Sequence, residues 1–151
     1  KNAGLGITIH AGEWGSANNI RLAVQALGAD RIGHGVRAIE DLTLCDWLIE
    51  HGIVLEVCPT SNVHSGAVSH WSQHPLNPLY RYGVTTTINT DDPLVSDITL
   101  TDELVYAVEY MTFSVEDVKR QMVNAARAAF LPAEERSELV AQFESALEIL
   151  S

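Results

Sequence analysis

The feature that most constrains the fold is a short apolar run, Ile7 to Ile9, that ends abruptly in His10 and Glu13 within the segment GITIHAGEWG. A β-branched run bounded by glycines predicts a buried parallel strand, and the apolar-periodic stretch after Ser16 predicts the helix that follows. Both polar side chains therefore lie at the carboxyl end of a strand. Ligands and catalytic groups collect at that end of a parallel sheet, because the loops there can vary without disturbing the core.

Strand and helix alternate four times along the chain. The predicted strands after the first cover 30–36, 52–58 and 84–90, and the predicted helices between them cover 16–27, 39–50 and 75–82. The four strands all end in polar residues, namely His10 with Glu13, His34, Ser61 with Asn62, and Asp91 with Asp92. Units of this size are typical of an α/β architecture of the (β/α)-barrel kind, in which the strand tips meet at one end.

The segments between these units carry weaker patterns. Residues 59–62 predict a polar loop after the third strand, and 63–78 predict a loop that leads into the next helix. Its histidines, His64, His70 and His74, lack the spacing of a local metal site, so they are interpreted as loop residues. Glu56 lies inside an apolar strand, where it is either a carboxylate of a site or one partner of a buried ion pair.

From Leu100 onward the pattern predicts three helices that cover the sheet. Ser114 and Asp117 have the spacing of a capping box at the start of the second of these helices. The acids near the helix N-termini, Asp117 and Glu134 among them, are interpreted as responses to the helix dipole and to solvent.

Composition narrows the classes of partner. A formal net charge of −11, with only nine Lys and Arg, argues against binding to nucleic acid or to an anionic membrane. Cys45 and Cys58 have no CxxC spacing, which indicates reduced thiols in a cytoplasmic protein. The start KNAG carries no initiator methionine and no signal peptide, which suggests a piece of a longer polypeptide, although methionine removal or precursor processing gives the same start.

Taken together, the motifs HAGE, RIGHG, CPTSN and NTDDP, in this order, resemble the adenosine deaminase family of metal-dependent hydrolases. The resemblance extends from about Gly6 to the final helices. That family folds as an eight-stranded (β/α) barrel, and the four motifs resemble those of strands five to eight. The resemblance therefore implies that residues 1–151 are the C-terminal half of a TIM-type barrel. A complete barrel usually needs about 250 residues, which agrees with this interpretation.

The resemblance also implies a role for each polar strand tip. His10 is similar to the family's metal-binding histidine, and Asp91 to the carboxylate that binds both the metal and the attacking water. Glu13 is similar to the acid that protonates the purine ring at N1, and Asp92 to the residue that hydrogen-bonds the purine at N7. His34 resembles the histidine that orients the metal-bound water and helps to deprotonate it.

The implied reaction converts adenosine or deoxyadenosine to the corresponding inosine and ammonia by hydroxide attack at C6. It implies one Zn²⁺ per full-length chain, since zinc lowers the pKa of a bound water to about 7. The family's other two metal ligands come from a His-x-His motif at the first strand, which this sequence lacks. Because His10 and Asp91 alone fall short of three ligands, we expect the isolated chain to be inactive.

Two alternatives remain open at this point. The substrate could be another 6-aminopurine compound, such as adenine, AMP or aminofutalosine; the glycines around His34 favour a nucleoside, and the net acidity slightly disfavours a phosphorylated substrate. Alternatively, the chain could be a non-catalytic half-barrel that serves binding or assembly. In either case a half-barrel has two open sheet edges, so we expect the missing N-terminal half or a second copy of the chain to cover them.

Overall fold

A computed structural model describes residues 4–149, so the ends of the predicted half-barrel at Lys1 and Ser151 lie outside the described part. In chain order the elements are β1 (Thr8–Ala11), α1 (Ala17–Gln25), β2 (Arg31–His34), a 3-10 helix (Val36–Glu40), α2 (Leu42–Glu50), β3 (Val54–Val57), α3 (Pro59–His64), a second 3-10 helix (Trp71–Gln73), α4 (Leu76–Tyr82), β4 (Thr86–Ile88), α5 (Pro93–Ser96), α6 (Leu100–Tyr110), α7 (Val115–Ala128) and α8 (Ala133–Ile149). Each predicted strand is present; β1 extends two residues beyond the predicted apolar run, and the other three strands are shorter than their sequence patterns.

The four strands form one parallel sheet in the order β1-β2-β3-β4. Parallel neighbours need a crossover connection, and the helices between the strands supply it. The register places His10 beside Gly33 and Gly33 beside Glu56, so the carboxyl ends of the strands lie together at one end of the sheet. The predicted α/β class is therefore confirmed, and the polar strand tips meet as the sequence pattern requires.

The apolar core lies on one face of this sheet. Ile32, Leu55 and Val57 of the strands are fully buried there. The helices cover them with further buried side chains, among them Ile20, Leu44, Leu48, Leu76 and Leu79. Burial of each such side chain contributes about 1.5–3 kcal/mol, so this layer fixes which face of every strand turns away from the core.

Successive residues of a strand point to opposite sides of the sheet. The residues that alternate with these core positions are mostly polar, and they form the opposite face. Glu56 lies on this face, and its carboxylate is 3.2 Å from Nη1 of Arg31 on the neighbouring strand. Of the two interpretations offered for Glu56, the structure supports the ion pair. The side chains of the pair are only 20% and 23% exposed, and Glu56 also lines the cavity described below.

Two local predictions are wrong. Residues 59–62 begin α3 and do not form a loop, because Pro59 occupies the first turn and both carboxylate oxygens of buried Glu103 accept a hydrogen bond from the Thr60 backbone N–H, at 3.1 and 3.3 Å. The helix predicted over 39–50 is divided at Asp41, whose side chain accepts from the N–H of Leu44 and caps α2. Both corrections come from side chains that satisfy free backbone N–H groups.

The last three helices lie where the sequence predicts them, and the capping box of Ser114 and Asp117 is confirmed. The interpretation of Asp117 by helix dipole and solvent alone is wrong, however: its side chain is only 6% exposed, and Arg81 of α4 donates to both of its carboxylate oxygens. These hydrogen bonds hold the pKa of Asp117 well below its usual range. Within residues 4–149, no helix combines the length and apolar character needed to cross a lipid bilayer.

We expect Asp117→Asn to lower the free energy of unfolding by about 1–3 kcal/mol at pH 7, because it removes a charged acceptor from partly buried hydrogen bonds. The matched control is Asp102→Asn, which changes the same position of the capping box of α6, where no arginine pair is made by the side chain in the described contacts. Asp117 stabilises the folded state only when ionised, so its contribution is present above an unfolded-state pKa of about 3.9 and is lost as the pH falls towards the lower folded-state pKa. Urea unfolding at pH 7 and pH 3 measures this difference; equal losses in both variants at pH 7 would contradict it.

Candidate active site

His34 lies at the carboxyl end of β2 and is almost completely buried. Its Nε2 is 3.5 Å from Oε2 of Glu13 and 3.9 Å from Oδ2 of Asp91. His34 and Asp91 both have positive φ values, 64° and 57°. This conformation is uncommon outside glycine and is found at functional sites, where the surrounding structure holds it in place. The strand tips of β1, β2 and β4 thus bring an imidazole between two carboxylates.

The carboxylates of Glu13 and Asp91 accept hydrogen bonds from side chains of α3 and from Ser65, the residue that follows this helix. Oε1 of Glu13 accepts from Nδ2 of Asn62 at 3.3 Å and from the hydroxyl of Ser65 at 3.2 Å. Oδ2 of Asp91 accepts from the hydroxyl of Ser61 at 2.7 Å. A carboxylate that accepts several hydrogen bonds has a fixed orientation, so α3 sets the geometry of the acidic pair.

His10 projects from β1 into the same region. Its ring centroid is 5.1 Å from that of His34. A Cβ added to Gly33 would lie 3.3 Å from Cγ and Nδ1 of His10, so the glycine leaves room for the imidazole against the neighbouring strand. His10, His34 and Asp91 line one open cavity of about 480 Å³, together with Glu56 and Cys58.

The surroundings of the site shift the acidity of several groups. Burial lowers the pKa of His34, and the charges of Glu13 and Asp91 partly oppose this effect. Burial, reinforced by Asp91, raises the pKa of the Cys58 thiol far above its ordinary value, so Cys58 is neutral at pH 7. The region therefore combines an imidazole, two carboxylates and an unreactive thiol.

The donors of the cavity suit a zinc ion. Zinc binds imidazole nitrogen and carboxylate oxygen, which His10 and Asp91 provide on the same cavity. Ligand atoms of His34, Cys58 and Asp91 lie within 4.8 Å of one another. Of these, the neutral Cys58 thiol points to the Glu56 carbonyl, at 3.5 Å. The residues thus fit one side of a zinc site.

The structure brings Glu13, His34 and Asp91 together directly and places His10 on the same cavity. Asp92 lies beside them at the N-terminus of α5, with an exposed side chain. The roles inferred for these five residues remain predictions. Sequence reasoning assigned no role in the site to Asn62, although the CPTSN motif contains it, and none to Ser65 or His74.

His74, interpreted from sequence as a loop residue, is 3% exposed. Its Nε2 lies 3.2 Å from Oδ1 of Asn62, which in turn contacts His34 and Glu13. The only feature of the sequence that indicates burial at position 74 is the apolar helix predicted directly after it.

A sequence profile described as adenosine deaminase matches residues 1–146. The chain belongs to the adenosine deaminase family. It is 42% identical over 139 residues to an adenosine deaminase of Serratia proteamaculans and 45% identical over 141 residues to an adenine deaminase of Sinorhizobium fredii. These alignments cover 92% and 93% of the chain. The family resemblance of the four motifs is therefore confirmed.

Solved structures give the same assignment. The adenine deaminase of Arthrobacter aurescens matches with a TM-score of 0.91 and 31% identity over 97% of the chain. An amidohydrolase of Burkholderia ambifaria with bound zinc matches with a TM-score of 0.91 and 27% identity over 99% of the chain. The N6-methyl-AMP deaminase of Arabidopsis thaliana matches with a TM-score of 0.81 and 29% identity over 96% of the chain. The predicted barrel-type fold class is confirmed by these neighbours.

The chain spans less than half the length of each of these relatives. It covers 42% of the Serratia enzyme, 44% of the Sinorhizobium enzyme and 45% of the Arthrobacter structure. The four strands described above are thus one part of a larger fold in these relatives.

We expect His10→Ala and Asp91→Ala each to lower the affinity for zinc by at least about 10-fold. Loss of a group that only hydrogen-bonds a metal ligand already lowers the metal affinity about 10- to 100-fold. The matched control is His51→Ala, since His51 lies at the end of α2, stacked on Trp47 and away from the cavity. Competition with a chromophoric chelator measures the three affinities. Equal affinities in the His10 and His51 variants would argue against His10 as a ligand.

Proposed function

We propose that the chain is the C-terminal half, strands five to eight, of a zinc-dependent barrel that deaminates 6-aminopurines. The observation that carries the proposal is the position of His34 Nε2, 3.5 Å from Glu13 and 3.9 Å from Asp91, beside the His10 imidazole. Deamination needs a positioned water, an acceptor for its proton and an acid for the ring nitrogen. The imidazole of His34 can position the water, and the two carboxyl groups beside it can serve as the proton acceptor and the acid.

His10 and Asp91 would hold one zinc ion, with the remaining ligands supplied by a His-x-His motif in the missing N-terminal half. When bound, zinc supplies a water of lowered pKa at neutral pH. The zinc-containing Burkholderia neighbour supports this assignment. The carboxylate of Asp91, oriented by Ser61, would also be placed to accept a proton from a water held at this site.

Glu13 is proposed to donate a proton to the purine at N1, which relieves the negative charge that attack at C6 puts on the ring. Asn62 and Ser65 fix its carboxyl group in the site. Asp92, which follows the proposed metal-binding aspartate, is proposed to hydrogen-bond the purine at N7, where the ring nitrogen accepts the bond. His34 orients the attacking water between the two carboxylates.

Adenosine, or deoxyadenosine, is the first proposed substrate, in line with the glycines that flank His34 in the RIGHG motif and with the Serratia relative. Adenine is the second candidate, because the 45% identical Sinorhizobium relative and the Arthrobacter neighbour are adenine deaminases. A phosphorylated substrate is less favourable for a chain with a formal net charge of −11.

The missing N-terminal half of the barrel is the proposed partner, and a second copy of the chain is the alternative. Among the described strands, β1 pairs only with β2 and β4 only with β3, so each end of the sheet has an open edge. Large apolar side chains lie exposed near these ends: Leu5 and Trp14 beside β1, and Leu94 and Val95 after β4. A covering half-barrel would bury them and pair both edges.

We propose a cytoplasmic location because both cysteines are free thiols. Cys45 and Cys58 are both free and buried, and burial raises the pKa of the Cys45 thiol to about 11. Reduced, unpaired thiols of this kind are usual in the cytoplasm.

We expect the isolated chain to release no ammonia from adenosine, deoxyadenosine, adenine or AMP, because it lacks two of the proposed zinc ligands. The complete protein, meaning this chain together with the N-terminal half, is expected to turn over adenosine with the highest kcat/KM of the four. Coupled detection of ammonia with and without a zinc chelator measures this. Turnover by the isolated chain would contradict the half-site proposal, and a higher kcat/KM for adenine would select the second candidate.

In the complete protein, Glu13→Gln is expected to lower kcat by about 10²- to 10⁴-fold, the usual contribution of a general acid. Asp92→Ala is expected to raise KM more than it lowers kcat, because its contact is with bound purine. Glu50→Gln, an exposed acid at the end of α2, serves as the control for a lost carboxylate. Steady-state kinetics in which all three variants lost the same fraction of kcat would count against separate roles.

A further inference from the structure

A chain of hydrogen bonds runs from the start of α4 to the candidate site. The backbone N–H of Leu76 donates to Nδ1 of His74 at 3.1 Å. A backbone amide can only donate, so Nδ1 of His74 is an acceptor and, in the neutral ring, the hydrogen is on Nε2. That nitrogen lies 3.2 Å from Oδ1 of Asn62 and donates to it.

The orientation of the Asn62 amide is fixed independently at its other end. Its Nδ2 lies 3.3 Å from Oε1 of Glu13 and 3.0 Å from Nδ1 of His34. A carboxylate oxygen accepts hydrogen bonds, so the amide NH₂ group, and not its oxygen, faces Glu13. The second hydrogen of the same group then points to His34. Nδ1 of His34 is therefore an acceptor.

We propose that Asn62 and His74 are positioning residues that hold neutral His34 in the tautomer with its hydrogen on Nε2. The proposal rests on the proposed deaminase function for its catalytic meaning, but the tautomer follows from the hydrogen bonds alone. The three ring and amide side chains of this hydrogen-bond chain are buried: Asn62 is 0%, His34 1% and His74 3% exposed. Water therefore has little access to compete for these bonds, and a reversed amide would leave unpaired buried groups.

The low basicity of His74 reinforces this arrangement. Burial, aided by the nearby His34, lowers the pKa of His74 to about 3. The ring is thus neutral at pH 7, and Nδ1 remains free to accept the hydrogen bond from Leu76. A charged His74 would carry hydrogens on both nitrogens and would lose this contact.

The tautomer decides what His34 can do. With hydrogen on Nε2, the nitrogen that faces Glu13 and Asp91 donates a hydrogen bond and has no lone pair for a further proton. His34 would then orient a water in the site through this hydrogen and could not take its proton, so Asp91 would be the group that accepts the proton. This differs from the family resemblance in one respect, since it assigns the deprotonation to Asp91 and leaves His34 the orienting role.

The decisive measurement is the tautomer of His34 in the complete, zinc-loaded protein. Long-range ¹H–¹⁵N correlation spectra of ¹⁵N-histidine-labelled protein separate protonated from unprotonated ring nitrogens, and His34→Gln assigns the resonances by their loss. We expect an unprotonated Nδ1 and a protonated Nε2 in the unsubstituted protein. A protonated Nδ1 with a free Nε2 overturns the proposal without any need for a variant.

Variants at His74 test the relay itself. His74→Met removes the donor to Asn62 and is expected to leave His34 as a mixture of tautomers and to lower kcat by about 10- to 100-fold with KM little changed. His74→Gln keeps an N–H donor and is expected to restore the single tautomer and most of kcat. His64→Met, an exposed histidine on α3, is the matched control. Loss of kcat in His74→Met with an unchanged His34 spectrum would show a structural effect only and would overturn the relay.

The outcomes also separate this proposal from the proposed function. A protein that deaminates none of the purines but shows the expected tautomer refutes the function and retains the hydrogen-bond chain. A protein that deaminates adenosine but shows the opposite tautomer retains the function and refutes the positioning role of Asn62 and His74.

Discussion

The hydrogen bond between buried Glu103 and the N-terminus of α3 is the contact on which the site depends. Glu103 is 0% exposed, and its two carboxylate oxygens accept from the Thr60 N–H. Burial raises the pKa of this carboxyl group to about 7, a cost that the hydrogen bonds from Thr60 oppose. The contact joins α6, far along the chain, to the turn after β3. It starts α3 at the strand tips, where a loop would otherwise leave free N–H groups in a buried place.

Once α3 is fixed there, its side chains organise the rest of the site. Ser61 holds Asp91, and Asn62 links Glu13, His34 and His74. The candidate catalytic groups come from β1, β2 and β4, but their orientations are set by the connection between β3 and α4. This division agrees with the logic of parallel α/β folds, in which strands fix positions and the loops and short helices at their carboxyl ends determine chemistry.

The half-barrel explains why the candidate catalytic residues lie on an incomplete sheet. The apolar face is closed by α1, α2 and α4, whereas the polar face, with Arg31, Glu56 and His10, opens into a cavity. In the relatives this stretch makes up less than half of the protein. The proposed N-terminal half would thus complete both the sheet and the metal site. The same segment would be needed for a closed barrel and for catalysis.

Much of this protein was determined by its sequence alone. Short β-branched apolar runs and helices of period 3.6 predicted the α/β class, and the motifs around His10, His34 and Asp91 led to the family, because these patterns are local and each strand end is marked by a change from apolar to polar residues. The tertiary structure alone decided that 59–62 is helical, that Glu56 pairs with Arg31, and that His74 reaches the site through Asn62. Those outcomes depend on contacts between residues distant in sequence, such as Glu103 with Thr60, and no local periodicity records which distant side chain will satisfy a buried backbone or imidazole group.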